Sequence, residues 1–210
     1  MLPIMLDVRG RRCLVVGAGR VALGKARALL AQGAAVTLIA PDACPDVVAL
    51  ARSGDLEWKA RPYALGDVAG FRLVFAATDS RAVNAQVAAE AEAAGIWANV
   101  ADTPEICAFA MPAVLRRGAL EVAVGTSSTA PFAAARVRDL LDQSLDRGWE
   151  AWLEVAAAFR EVVVQSELSP EARRRAYDAF VAATLQPGEL IARPPLPAEA
   201  EAILRRSEAP

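Results

Sequence analysis

Cys13-Leu-Val-Val-Gly-Ala-Gly-Arg-Val-Ala22 carries the strongest local signal in the chain. Cys13 to Val16 is wholly apolar, the pattern of a short strand buried on both faces of a parallel sheet. Gly17-Ala-Gly19-Arg-Val-Ala22 follows it in the G-x-G-x-x-A form of a dinucleotide fingerprint. Each small residue has a physical task there. Gly17 permits a tight turn off the strand. Gly19 lacks the Cβ that would hold backbone away from a pyrophosphate, and Ala22 lets a helix pack closely on the strand. The helix opening at this point offers unpaired N–H donors and the positive end of its dipole to the phosphates. A bare fingerprint is a weak signal; the context gives it weight. Val21 to Gln32 is rich in Ala and Leu, Gly33 is placed just past a helix C-terminus, and Ala35 to Ala40 is a second strand stopped by Pro41. Strand, tight turn, helix and strand make one βαβ unit.

The same alternation continues outward. Val47 to Ser53 is expected as a short helix and Leu56 to Ala60 as a strand. Phe71 to Ala77 is expected as a buried strand, Arg81 to Ala94 as a helix closed by Gly95, and Trp97 to Val100 as a further short strand. Strands alternating with helices imply an α/β fold, a Rossmann-type doubly wound parallel sheet. After Pro112 the character changes. Leu120 to Val124 predicts a strand whose apolar residues need a partner surface. Gly125 to Pro131 predicts a polar turn, and Phe132 to Leu145 an amphipathic helix. Trp149 to Gln165 and Pro170 to Leu185 predict a small C-terminal helical domain. The proline-rich tail beyond Gln186 has room for at most one short helix.

The ribose-binding feature of the fingerprint is displaced. No Asp or Glu ends the second strand; Asp42, just past Pro41, is the best substitute, with a plain loop-capping role as its alternative. No basic residue follows at once, the nearest being Arg52, and a 2′-phosphate calls for an arginine nearby. NAD is therefore favoured over NADP.

Bulk properties exclude other classes. The chain has 210 residues, 55% of them hydrophobic, which is enough to build a packed core. Its 23 basic and 25 acidic residues leave a net charge of −2, with no field to attract nucleic acid or an acidic membrane. An anion site would have to be local. Cys13, Cys44 and Cys107 are too few and too scattered for a disulfide framework or a zinc site, and Cys13 reads as a small buried hydrophobe. No metal site is expected. The chain contains no histidine, so any proton transfer must use a carboxylate, Tyr, Lys, Cys or the substrate itself. No targeting segment and no membrane span is expected, and a reducing cytoplasmic setting fits.

A series of ordered motifs carries a more specific likeness: Leu2-Pro-Ile, then Val15 to Ala22 with Lys25-Ala-Arg27. Ala76-Ala-Thr-Asp79 with Asn84 follows, then Asn99-Val-Ala-Asp-Thr-Pro104 and Phe109-Ala-Met-Pro112. Val122-Ala-Val124 and the turn ending in Ala130-Pro131 complete it. In this order the chain resembles the precorrin-2 dehydrogenase family, the siroheme synthase N-terminal module, over roughly residues 1 to 165. That resemblance implies NAD-dependent oxidation of precorrin-2 to sirohydrochlorin in siroheme biosynthesis. It also implies a homodimer, with a Rossmann domain at 1–112, a dimerisation region at 113–148 and a C-terminal helical domain at 149–210. It places the catalytic carboxylate on Asp102 and cofactor contacts on Arg20, Val21, Pro41, Asp42 and Thr78, beside Gly17, Gly19 and Ala22. A carboxylate can take the proton while NAD takes the hydride. Asp-Thr-Pro is also a good turn, so a capping role for Asp102 stays open. A many-carboxylate substrate would find cationic candidates in Arg116, Arg117, Arg136 and Arg138. Gly125 and Ala130 stand where serines often occur in the family. Two further readings remain: a bifunctional dehydrogenase and sirohydrochlorin ferrochelatase, and a non-catalytic NAD-sensing Rossmann module. No methyltransferase domain is expected within these 210 residues.

Overall fold

A computed structural model describes residues 1–185 together with Ala202, Ile203 and Arg205. The expectation for the proline-rich tail lies outside the described residues. Two compact units divide after Met111.

The first unit is a parallel sheet of five strands flanked by helices. Its elements run β1 (Arg12–Val16), α1 (Arg20–Leu30), β2 (Ala35–Ile39), α2 (Pro45–Ser53), β3 (Glu57–Lys59), β4 (Leu73–Ala76), α3 (Arg81–Ala93) and β5 (Trp97–Val100), with a 3₁₀ turn over Pro104–Ile106. The strand order is β3-β2-β1-β4-β5, and every pair is parallel. The two-residue alternation along β1 explains the apolar run. Cys13 and Val15 face one core with Leu38, Phe75 and the buried side of α1. Leu14 and Val16 face a second core with Ile39, Val74 and the buried side of α3. A strand covered on both faces has no polar position to spare. Helix α1 starts at the fingerprint glycines and is stopped near Gly33, whose φ of +71° is open to glycine at little cost. Helix α2 starts at Pro45 rather than Val47, because proline is tolerated in a first helical turn.

The second unit begins with a hairpin. Strand β6 (Ala113–Arg117) pairs antiparallel with β7 (Leu120–Val124), with Arg117 opposite Leu120 across a tight turn at Gly118. Strand β7 thus finds an edge partner within its own chain. Helix α4 (Pro131–Ser144) packs on both strands. Helices α5 (Gly148–Gln165) and α6 (Pro170–Thr184) close around Trp152, Phe159 and Phe180. The rings of Phe159 and Phe180 stack at 4.6 Å. The Trp152 indole donates to the Thr184 hydroxyl at 2.8 Å, so the one polar atom of that large ring is satisfied. No helix among the described residues is long and apolar enough to cross a membrane.

Candidate active site at the carboxyl edge of the sheet

Because the five strands are parallel, their carboxyl ends share one edge, and the loops leaving that edge carry the predicted site residues. Gly17 to Ala22 leave β1, Pro41 and Asp42 leave β2, Thr78 leaves β4 and Asp102 leaves β5. The chain reverses its direction of travel across the sheet between β1 and β4, which is where open α/β sheets bind ligands. Asp42 and Asp102 follow β2 and β5, strands three spacings or about 14 Å apart.

The two fingerprint glycines answer to different constraints. Gly17 has φ +109°, and a Cβ there would lie 2.3 Å from the Ala77 carbonyl oxygen. The fold itself demands it. Gly19 has φ −83°, and a Cβ there would meet nothing within 4 Å. No atom of the described chain requires Gly19 to be small. The space beside it is open, and the first-turn amides of α1 have no carbonyl one turn back to bond. No acidic residue lies in that turn and no side chain caps it. Arg20 and Val21 are exposed, while Ala22 is fully buried against the sheet. An open cradle with free amides and no competing carboxylate fits a dinucleotide pyrophosphate.

Asp42 is exposed, and its carboxylate bonds to no described residue. It does not cap α2, whose N-cap is Cys44. Arg61, which leaves the neighbouring strand β3, is held by Asp67 through two bonds of 2.7 and 2.6 Å. That arginine is occupied, which removes a ready partner for a 2′-phosphate.

Thr78 is tied inward. Its amide and hydroxyl reach the Asn84 side-chain oxygen at 3.1 and 2.7 Å, and the Asn84 amide donates back to the Thr78 carbonyl at 2.9 Å. Buried Asn84 therefore shapes the loop after β4, a task that its isolated place in an Ala-rich helix did not announce.

Asp102 has φ +59°, a left-handed conformation that Asp adopts more readily than most residues. It is exposed, and its carboxylate makes no hydrogen bond or ion pair among the described residues. The capping role open to it from sequence is not used. Its loop is held from below by two groups. The Asn99 side chain donates to the Phe109 carbonyl at 2.9 Å. The Cys107 sulfur accepts from the Val100 amide at 3.1 Å and lies 3.3 Å from the Val100 and Thr103 carbonyls. Phe109 meets Phe75 edge-on at 5.3 Å. Lys25 reaches this cluster from α1, its amine 3.7 Å from the Met111 sulfur and 5.8 Å from the Phe75 ring centre. Burial pushes its pKa below the ordinary lysine value.

In the second unit, three of the four candidate arginines are engaged. Arg116 pairs with Glu121 at 2.6 Å, Arg117 with Asp142 at 2.7 Å and Arg138 with Asp139 at 2.7 Å. Arg136 is exposed and unpaired among the described residues. The Thr126 to Thr129 turn uses its hydroxyls internally: Thr129 donates to the Thr126 carbonyl at 2.6 Å, and Thr126 accepts from the Ala130 amide at 3.2 Å. Among the described residues no three of His, Cys, Asp or Glu stand close enough to hold a metal ion.

Residues 4–113 match the family model NAD_binding_7, described as "Putative NAD(P)-binding". The siroheme synthase of Chromobacterium violaceum is 40% identical over 179 residues, covering 85% of this chain and 38% of that protein. The siroheme synthase of Methylococcus capsulatus is 41% identical over 177 residues, covering 84% and 37%. The chain thus spans about two fifths of the length of the curated relatives it matches. Among solved structures, "SirC, precorrin-2 dehydrogenase" superposes with a TM-score of 0.75 over 99% of both chains at 23% identity, a likeness of fold.

Proposed function

The chain belongs to the NAD_binding_7 family of NAD(P)-binding domains, and on that footing we propose that it oxidises precorrin-2 to sirohydrochlorin with NAD. The observation that carries the reading is an unoccupied carboxylate, Asp102, on the same sheet edge as a glycine cradle that the fold does not need. NAD, when bound, supplies the acceptor for the hydride removed from the tetrapyrrole. The remaining work falls to residues of the chain. Gly19 admits the pyrophosphate to the amides of Arg20, Val21 and Ala22. Asp42, beside Pro41, takes the ribose hydroxyls, and Arg61 is already engaged by Asp67. Thr78 shapes the floor between them. Asp102 accepts the proton that leaves as the ring system gains conjugation. Asn99 and Cys107 act as positioning residues, because they hold the loop that presents it. With no histidine in the chain and no protein partner on this carboxylate, Asp102 is the group best placed to act as base.

The substrate carries many carboxylates, and of the four candidate arginines Arg136 alone has no ion pair among the described residues and is free to meet one. We assign the hairpin and α4, residues 113–148, to a homodimer contact. Phe132 is 82% exposed on α4, with Val137 and Leu140 also open. An apolar face of that kind is better covered than wetted. The helices from 149 onward form the C-terminal domain of this scheme.

The deciding experiment mixes the chain with enzymatically generated precorrin-2 and NAD and follows sirohydrochlorin by absorbance. Turnover supports the assignment. NAD binding without turnover of this substrate refutes it and favours an NAD-sensing module. Sedimentation at micromolar concentration checks the dimer, which should run at twice the chain mass.

A further inference from the structure

The opposite edge of the same sheet has a second feature. An open surface pocket of about 380 Å³ is bordered by Gly10, Arg11, Arg12, Gly70, Phe71 and Arg72. It lies where β1 and β4 begin, at the other end of these strands from Gly17 and Thr78.

Half of its lining is arginine, and none of the three has a carboxylate within ion-pair distance among the described residues. Arg27, Arg61, Arg116 and Arg117, by contrast, pair with Asp46, Asp67, Glu121 and Asp142. The nearest acid in sequence, Asp7, is already held by Arg9 through side-chain bonds of 3.0 and 2.7 Å and one backbone bond. Three like charges around one pocket repel each other, and a multiply charged anion between them removes that cost.

The donors are shaped for such a ligand. The Arg12 guanidinium carbon lies 4.5 Å over the Phe71 ring centre, and its N–H groups make no hydrogen bond among the described residues. A Cβ on Gly70 would stand 3.1 Å from an Arg12 nitrogen, so the glycine leaves that head room to lie flat. Backbone amides at the rim are already used: Gly10 donates to Gly33, Arg11 to Val8 and Arg72 to Arg12. Recognition is left to guanidiniums, whose paired N–H groups match phosphoryl and carboxylate oxygens.

We propose that this pocket binds a small molecule carrying two or more phosphoryl or carboxylate groups, at a site independent of the cofactor edge. The test is calorimetry on the full chain at low salt, with pyrophosphate and citrate as probes of the two chemistries. Each titration is run on the parent, on Arg11→Gln/Arg72→Gln, on Arg12→Lys and on Gly19→Val. At least one probe should bind the parent below millimolar concentration. The double variant should weaken it at least tenfold. Arg12→Lys, which keeps the charge but loses the flat fork, should weaken it by less. Gly19→Val should leave the arginine-dependent event unchanged, whatever pyrophosphate binding it removes at the fingerprint. A tenfold preference for pyrophosphate assigns a phosphoryl ligand, and the reverse preference assigns a carboxylate ligand. The proposal is overturned if neither probe binds, or if the double variant keeps the parent affinity. It is equally overturned if Gly19→Val abolishes binding, since the anion would then sit in the fingerprint. NAD binding or turnover has no part in this reading, so the fate of the dehydrogenase assignment and the fate of this one are read separately.

Discussion

Gly17 and Gly19 are two residues apart in one turn, yet they belong to different regions of the molecule. Gly17 faces inward, where the Ala77 carbonyl occupies the space a side chain would need. Gly19 faces outward into open space, together with unpaired Asp42 and Asp102 on the same edge. The inner region is set by packing. The outer region holds residues whose chemistry finds no partner in the described chain. Residues that cost the fold nothing to change, yet gather at one edge, are where ligand chemistry is to be sought.

The sharpest way to break this comparison is at its inner member. Gly17→Val combines a backbone clash with a φ of +109° that a β-branched residue rarely adopts. Strain and overpacking together should cost about 4 kcal/mol or more. Urea unfolding should show a collapsed midpoint or no folded protein at all. If the variant is as stable as the parent, the inner region is softer than its geometry implies. On the outer side, Asp102→Asn should leave the melting temperature nearly unchanged and lower turnover by about 10²–10⁴-fold, the usual effect of losing a positioned base. Activity within a few-fold of the parent would make the carboxylate dispensable. Gly19→Val should also fold, with a small stability change, while NAD affinity falls by about 100-fold, or about 2.7 kcal/mol. Calorimetry against NAD reads both quantities, and unchanged affinity would remove the pyrophosphate from this turn. The smallest effect concerns the engaged pair Arg61–Asp67. Hydrogen bonding from Arg61 holds the Asp67 carboxyl below its ordinary value of 3.8. The folded state thus binds this proton less readily than the unfolded one. The pair's contribution is therefore present above about pH 4 and fades as pH falls through the depressed folded value. Asp67→Asn should flatten that acid limb by up to about 1 kcal/mol, given how exposed Arg61 is. An unchanged acid limb would mean the pair is neutral.

The first unit was readable because burial on both faces leaves little room for ambiguity. Strands β1, β2, β4 and β5 are apolar runs bounded by Gly, Pro or Asp, and the fingerprint ties two of them to a helix. Strand β6 was missed because Arg116-Arg117 reads as solvated chain. Only its pairing with β7, through a register set by a two-residue turn, makes it a strand. Asp102 was readable as a candidate, whereas the choice between cap and free carboxylate was not. That choice depends on where side chains across the loop point, and sequence spacing does not encode it. Asn99 and Cys107 were missed as loop supports for the same reason. Three of the four arginines proposed as substrate anchors turn out to face acids of their own hairpin and helix. The unpaired cluster lies instead at Arg11, Arg12 and Arg72, which are brought together by the pairing of β1 with β4.

The strand order has a consequence in time. Strand β1 is central in the sheet and is synthesised first, whereas its neighbour β4 begins at Leu73 and the capping strand β5 ends at Val100. At about 5–20 residues per second, a ribosome needs several seconds to move from Val16 to Leu73. For that interval Leu14, Val15 and Val16, among the most deeply buried residues, have only one of their two flanking strands to pair with. The chain that folds best in a cell will be the one whose nascent β1 is kept from other chains until β4 emerges.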